Sequence, residues 1–235
     1  MASGTQVRRR TFLAAGTLAL LNACTDDVAP IRTSGAPEAT TATALPSPDR
    51  HGRASALEDV LAERRSTRTF TAEPVDEAAI SRLLWAAQGV TAPWGGRTAP
   101  SAGALYPIEV YVATADELRR YVPDDHGSVE LAREDRRPRI AEATGQETAS
   151  GAPVLFVITG VVSRTAAKYG DRAERYAQLE AGHVCQNLLL DATAQGLAAV
   201  PMGAFSDDDL REALGIEQGE LPLYVVPVGH PREGA

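Results

Sequence analysis

Cysteine and histidine are scarce in this chain of 235 residues: two cysteines, Cys24 and Cys185, and four histidines at positions 51, 126, 183 and 230. Two cysteines cannot form a disulfide framework, and the scattered histidines have no thiolate neighbour, so a metal centre is not expected. Aromatic residues make up only 5% of the chain, which leaves Leu, Val and Ala to pack the core. Lysine is rarer still, because Lys168 is the single lysine among 23 basic residues. Bases are also outnumbered by 31 acids, for a formal net charge of −8. A nucleic acid needs a basic face, so it is not expected as a partner. No segment repeats, and the apolar stretch Phe12 to Leu21 is too short to span a bilayer.

With 44% hydrophobic residues, the chain can bury one sizeable core, and one folded domain is expected. Residues 1–24 stand apart from it. Arg8, Arg9 and Arg10 precede the short apolar stretch, as in an export signal. Arg9-Arg10-Thr11-Phe12-Leu13 resembles a twin-arginine signal, and Leu21-Asn22-Ala23-Cys24 resembles a lipoprotein processing site. A lipid on Cys24 is therefore expected to anchor the exported protein at the outer face of a membrane. The other reading is a plain cleaved signal with an incidental cysteine. Residues 25–54, rich in Ala, Thr, Ser and Pro, carry no helical or strand period and are read as a disordered tether. Residues 55–235 are the domain.

Within the domain, apolar spacing alternates between helix and strand patterns. Leu57, Val60 and Leu61 give a short helix, and Asp76 caps a second one through Ile80, Leu83, Leu84 and Ala87, stopped by Gly89. Ile108, Val110 and Val112 alternate as a strand, and Tyr121 to Leu131 reads as a hairpin turning at Asp125-His126-Gly127. Pro153 to Val162 is apolar enough for a central strand buried on both faces. A long helix from Arg172 to Gln195 ends at Gly196, with Tyr176, Leu179, Leu190 and Leu197 in the apolar stripe. Val200 to Met202 reads as a short strand or turn, Asp207 to Leu214 as a helix closed by Gly215, and Leu223 to Val228 as a last strand. The order implies an α+β fold, with helices around one mixed or antiparallel sheet. Cys185, mid-helix among apolar neighbours, reads as a small buried hydrophobe.

Four separated blocks carry the chemistry. Arg64-Arg65-Ser66-Thr67-Arg68 offers three guanidiniums and a hydroxyl in five residues, enough to hold a doubly charged phosphate. Pro100-Ser101-Ala102-Gly103-Ala104-Leu105-Tyr106-Pro107 and Val200-Pro201-Met202-Gly203-Ala204 place small residues where backbone passes close to a flat ring. Gly229-His230-Pro231-Arg232 adds a fourth guanidinium. Together these blocks resemble the FMN-dependent nitroreductase superfamily over roughly residues 57 to 232. Ser101 to Pro107 is similar to the SagB-type dehydrogenase branch, which includes the thiazole and oxazole oxidases. The nitroreductases proper carry Asn and Gln where this chain has Ala104 and Tyr106.

The resemblance implies a nitroreductase-like obligate homodimer with FMN in the subunit interface. It assigns Arg64, Ser66, Arg68 and Arg232 to the FMN phosphate and ribityl chain; Arg65 is included, although neighbouring helical residues point about 100° apart. Pro100, Ser101, Ala102, Gly103 and Leu105 would lie at the flavin, as would Pro201, Met202, Gly203 and Ala204 with backbone donors. Asn187 would reach it from the long helix, where Glu180, His183 and Gln186 share its face. Lys168-Tyr169, placed in a polar loop before that helix, matches the Lys-Tyr pair that azoline oxidases use in deprotonating substrate carbon while hydride leaves to FMN. A surface lysine beside an anchoring tyrosine is the plainer alternative. The expected activity is two-electron oxidation of a small organic or azoline-type substrate. An NAD(P)H-dependent nitroreductase or quinone reductase is the second reading, and a non-enzymatic flavin-binding lipoprotein the third.

Overall fold

The computed structural model describes residues 43–46 and 57–232. The expected leader, Cys24 and most of the expected tether lie outside the described residues.

Strand β5 (Val154–Val161) organises the domain, with all but its last residue buried. It pairs antiparallel with β2 (Ile108–Ala113) on one side and β7 (Glu220–Gly229) on the other. Side chains along a strand alternate between faces. Accordingly, Val154, Phe156 and Ile158 join Val110, Val112, Val226 and Val228 in one core, while Leu155 and Val157 join Tyr111, Ala113 and Val225 in a second. This explains why the β5 sequence shows no polar alternation: both faces are covered.

The whole sheet has seven strands in the order β1-β4-β3-β2-β5-β7-β6. Here β1 is Thr43–Ala44, β3 Leu118–Val122, β4 Gly127–Ala132 and β6 Ala198–Ala199. Every ladder between these strands is antiparallel, which narrows the expectation of a mixed or antiparallel sheet. The hairpin forms as expected, with His126 in a left-handed turn at φ 42°.

Helices α2 (Glu77–Gln88) and α6 (Ala173–Ala194) cover the first core. The Asp76 carboxylate accepts Ala79 N–H at 2.7 Å, so α2 starts where its cap dictates. On α6, Ala177, Ala181, Val184, Leu188 and Ala192 face the sheet at three- and four-residue spacing. Leu179 is exposed rather than part of that stripe. The second core lies under α3 (Arg137–Thr144), α4 (Glu147–Ser150) and α7 (Asp207–Leu214). Short α1 (Leu57–Glu63) precedes the arginine block.

Four residues correct the expectation of an unbroken tether. Thr43 and Ala44 pair with Ser128 and Gly127, Leu45 is buried in the first core, and Pro46 O accepts the Ser81 hydroxyl at 2.5 Å. His126 Nε2 lies 3.0 Å from the same carbonyl. The segment covers the outer edge of β4, an edge that would otherwise present unpaired backbone groups. The expected strand near Val200 falls two residues earlier, at β6, and Met202 makes only a single bridge to Val225.

Candidate active site

Lys168 and Tyr169 lie at the end of helix α5 (Ser163–Tyr169), not in a loop. Val162 O receives both Thr165 N–H and Ala166 N–H, which starts the helix directly after β5. The pair packs against the loop that precedes β2. A Cβ placed on Gly103 would stand 2.9 Å from Tyr169 Oη and 3.2 Å from Lys168 Nζ, so glycine alone lets the pair approach this closely. Tyr169 also meets Tyr176 edge-on, with ring centroids 4.9 Å apart.

That loop is strained. Gly103, Ala104 and Tyr106 have φ of 64°, 54° and 45°. Positive φ costs a residue with a side chain about 1–3 kcal/mol and persists only where surroundings enforce it. The enforcement is visible. Ser101 Oγ accepts Tyr106 N–H at 2.8 Å, and Arg164 Nη1 donates to Tyr106 O at 3.2 Å. The Arg97 guanidinium lies 4.3 Å from the Tyr106 ring centroid, and Arg97 N–H donates to Tyr106 Oη at 3.3 Å. Arg164 is itself paired to buried Glu109, which also binds Arg120 at 3.2 Å.

From α6, Glu180 Oε1 accepts Ala102 N–H at 2.8 Å. Burial pushes the Glu180 pKa up, against the bond from Ala102, the neighbouring Ser101 side chain and the nearby His183. The Ser101 hydroxyl is engaged inside the loop, where it accepts Tyr106 N–H. Asn187 Nδ2 donates to Thr98 O at 3.2 Å, so its amide also holds the loop. Glu180 and Asn187 face the loop, whereas His183 and Gln186 face outward.

The other three blocks meet at the far end of the sheet. Ser66 bridges Ala199, Thr67 N–H donates to Ala199 O at 3.2 Å, and Phe70 bridges Pro231. Arg232 Nη2 donates to Phe70 O at 3.2 Å, and Arg68 Nη1 to Ser66 O at 3.3 Å. Arg65 turns its guanidinium back onto Ala62 O and Arg64 O, both at 2.8 Å. Among the described residues, Arg64, Arg65, Arg68 and Arg232 form no ion pair with a carboxylate. Nine other arginines do, including Arg82, Arg119 and Arg211. Four guanidiniums near one sheet end with no paired anion suit a phosphate. Of the Pro201–Ala204 backbone, Met202 N–H is committed to Val225 O at 2.8 Å and Pro201 has no N–H. Gly203 and Ala204 remain as the possible donors there, and space beside Gly203 is open.

The two halves are far apart in one chain. Ile108, just after the loop, stands opposite Gly160, which stands opposite Leu221. At the arginine end, Ala198 stands opposite Gly229. Eight residues of β7 separate these levels, roughly 26 Å at about 3.3 Å per residue. No group of three or more metal-ligating side chains occurs among the described residues, and no described helix is long and apolar enough to cross a membrane. Cys185 is buried, and desolvation pushes its thiol up to about 12, consistent with a packing role.

An antiparallel α+β sheet flanked by helices in this arrangement is the architecture of the nitroreductase-like oxidoreductases. The chain belongs to the nitroreductase family, whose sequence profile matches residues 61–230. A Methanocaldococcus jannaschii protein named "Putative nitroreductase MJ1384" is 41% identical over 184 residues, covering 75% of this chain and 92% of that one. The crystal structure of a "putative nitroreductase" from Ralstonia eutropha JMP134 superposes with a TM-score of 0.75 at 32% identity, covering 82% and 90% of the two chains. A chain of the Escherichia coli microcin synthetase McbBCD complex shares the fold at a TM-score of 0.66 and 22% identity, over 95% and 85%. The protein is thus an enzyme, an oxidoreductase of a family that generally binds flavin.

Proposed function

We propose that the chain holds FMN and oxidises a small organic substrate of azoline type, as a SagB-like dehydrogenase. The observation that carries this reading is the packing of Lys168 Nζ and Tyr169 Oη on Gly103 in the strained loop. FMN, when bound, supplies the two-electron acceptor. Arg64, Arg68 and Arg232 would hold its phosphate, and the Gly203 and Ala204 amides would meet its polar groups. Lys168 takes a proton from substrate carbon, and Tyr169 orients the substrate or relays that proton.

A homodimer completes the site in this reading. The distance between the arginine end and the loop is too long for one ribityl phosphate chain, so each flavin takes its phosphate from one copy and its ring contacts from the other. Exposed Leu57, Leu61 and Leu179, with open space beside Gly182 on α6, supply an apolar face for that contact. Arg9-Arg10 and Leu21 to Cys24 support export and a lipid anchor on the outer face of a membrane.

The test is anaerobic loss of flavin absorbance with a panel of thiazolines and oxazolines. Lys168→Ala should slow bleaching about 10² to 10⁴ fold, the usual general acid–base contribution, with FMN content unchanged. A variant as fast as the parent would remove the role of Lys168. The relatives' names favour a second reading, reduction of nitro compounds or quinones by NAD(P)H. Rapid bleaching by NADPH alone, without any azoline, would select it.

A further inference from the structure

We infer that Glu180 is a positioning residue, which fixes the Ser101–Tyr106 loop and, through Gly103, the placement of Lys168 and Tyr169. Its carboxylate is buried on α6, only 5% exposed, and is not expected to touch the reacting atoms. Instead it ties down the loop. Oε1 accepts Ala102 N–H at 2.8 Å, next to Ser101, whose hydroxyl accepts Tyr106 N–H at 2.8 Å. One buried group thus holds the entry of the loop, beside the serine that holds its last left-handed residue. Between those two ties lies Gly103, whose missing Cβ makes room for Lys168 Nζ and Tyr169 Oη.

Two residues with side chains, Ala104 and Tyr106, sit at positive φ. Such backbone relaxes when its hydrogen bonds are removed. Relaxation would move Gly103 away from α5, and the Lys168 amine would lose the surface that places it. Arg97 and Arg164 grip Tyr106 from the other side, but neither reaches Ala102 in this structure. The assignment deepens the catalytic reading of Lys168 and Tyr169 and rests on it.

Because Lys168 is the only lysine, reductive methylation with isotope-labelled formaldehyde marks its amine as the one side-chain signal in the NMR spectrum. That signal and amide hydrogen exchange across Ser101–Tyr106 should be measured on the purified full chain, in the parent and in Glu180→Ala, Glu180→Asp and Glu180→Gln. Glu180→Ala should speed exchange at Ala102 on the order of tenfold or more and shift the Lys168 signal. Glu180→Gln, which retains an acceptor at the same reach, should stay close to the parent in both. Glu180→Asp, one methylene shorter, should follow Glu180→Ala and carries the test if the alanine variant does not fold. Parent-like exchange with an unmoved Lys168 signal in both the Ala and Asp variants would overturn the assignment. So would a Gln variant as disturbed as the Ala variant. Neither readout needs turnover, so a failure of Lys168 in the azoline assay would be seen separately.

Discussion

The arginine end and the loop end of the sheet are built in opposite ways. At the arginine end the backbone is relaxed, and the charges are left open: Arg64, Arg68 and Arg232 face no carboxylate among the described residues, and their backbone neighbours are ordinary bridges. At the loop end the polar groups are matched, and the strain is in the backbone, with three positive φ values in four residues. An anion can be recognised by exposed charge from a tolerant surface. A flat ring and a proton acceptor need placement, which requires a rigid loop. The comparison predicts that mutations at one end change binding, while mutations at the other change geometry.

The largest effect should come from removing charge. Arg64→Ala with Arg68→Ala deletes two charge-assisted contacts of about 1.5–3 kcal/mol each, so FMN affinity should fall about 10² to 10⁴ fold in a fluorescence titration. Undiminished FMN retention would put the phosphate elsewhere. Gly103→Ala should act the other way round. Its Cβ would meet Tyr169 Oη at 2.9 Å on a backbone at φ 64°, at a cost of about 1–2 kcal/mol, so turnover should drop about tenfold and FMN affinity by less. Equal loss of both would erase the distinction between the ends.

The smallest effect concerns pH. Burial raises the Glu180 pKa in the folded state, so as pH climbs the unfolded chain releases this proton first. The stability contributed by that proton is present below the ordinary carboxylate range and is lost as pH rises through the folded value. Glu180→Gln should therefore flatten this part of the stability profile and leave the chain no less stable at neutral pH in urea unfolding. A steeper loss of stability with rising pH in the Gln variant would reverse the sign.

Much of the architecture was legible because its signals are local. Asp76 caps its helix, Gly196 and Gly215 end theirs at positive φ, and the apolar run at β5 announces a strand covered on both faces. What escaped depends on distant partners. Thr43–Pro46 looks like tether by composition, and only Leu45 burial and the Ser81 and His126 contacts to Pro46 fix it. Residues 137–150 have weak apolar periodicity, so α3 and α4 show little before packing. At the site, the four blocks were readable as residue types, but their separation was not, because it follows from the register of β5 and β7. The Glu180 carboxylate was visible as a helix-face residue near the flavin. Its bond to Ala102, which sits 78 residues away, has no signature in sequence.

If one chain holds two halves of a flavin site and a second copy joins them, flavin binding and pairing of chains are a single event. Sedimentation of the purified protein, followed at the flavin absorbance, tests this most directly. FMN should travel only with a particle of two chains, at about one FMN per chain, and dilution to single chains should release it. A single chain that sediments with its FMN still bound would contradict it.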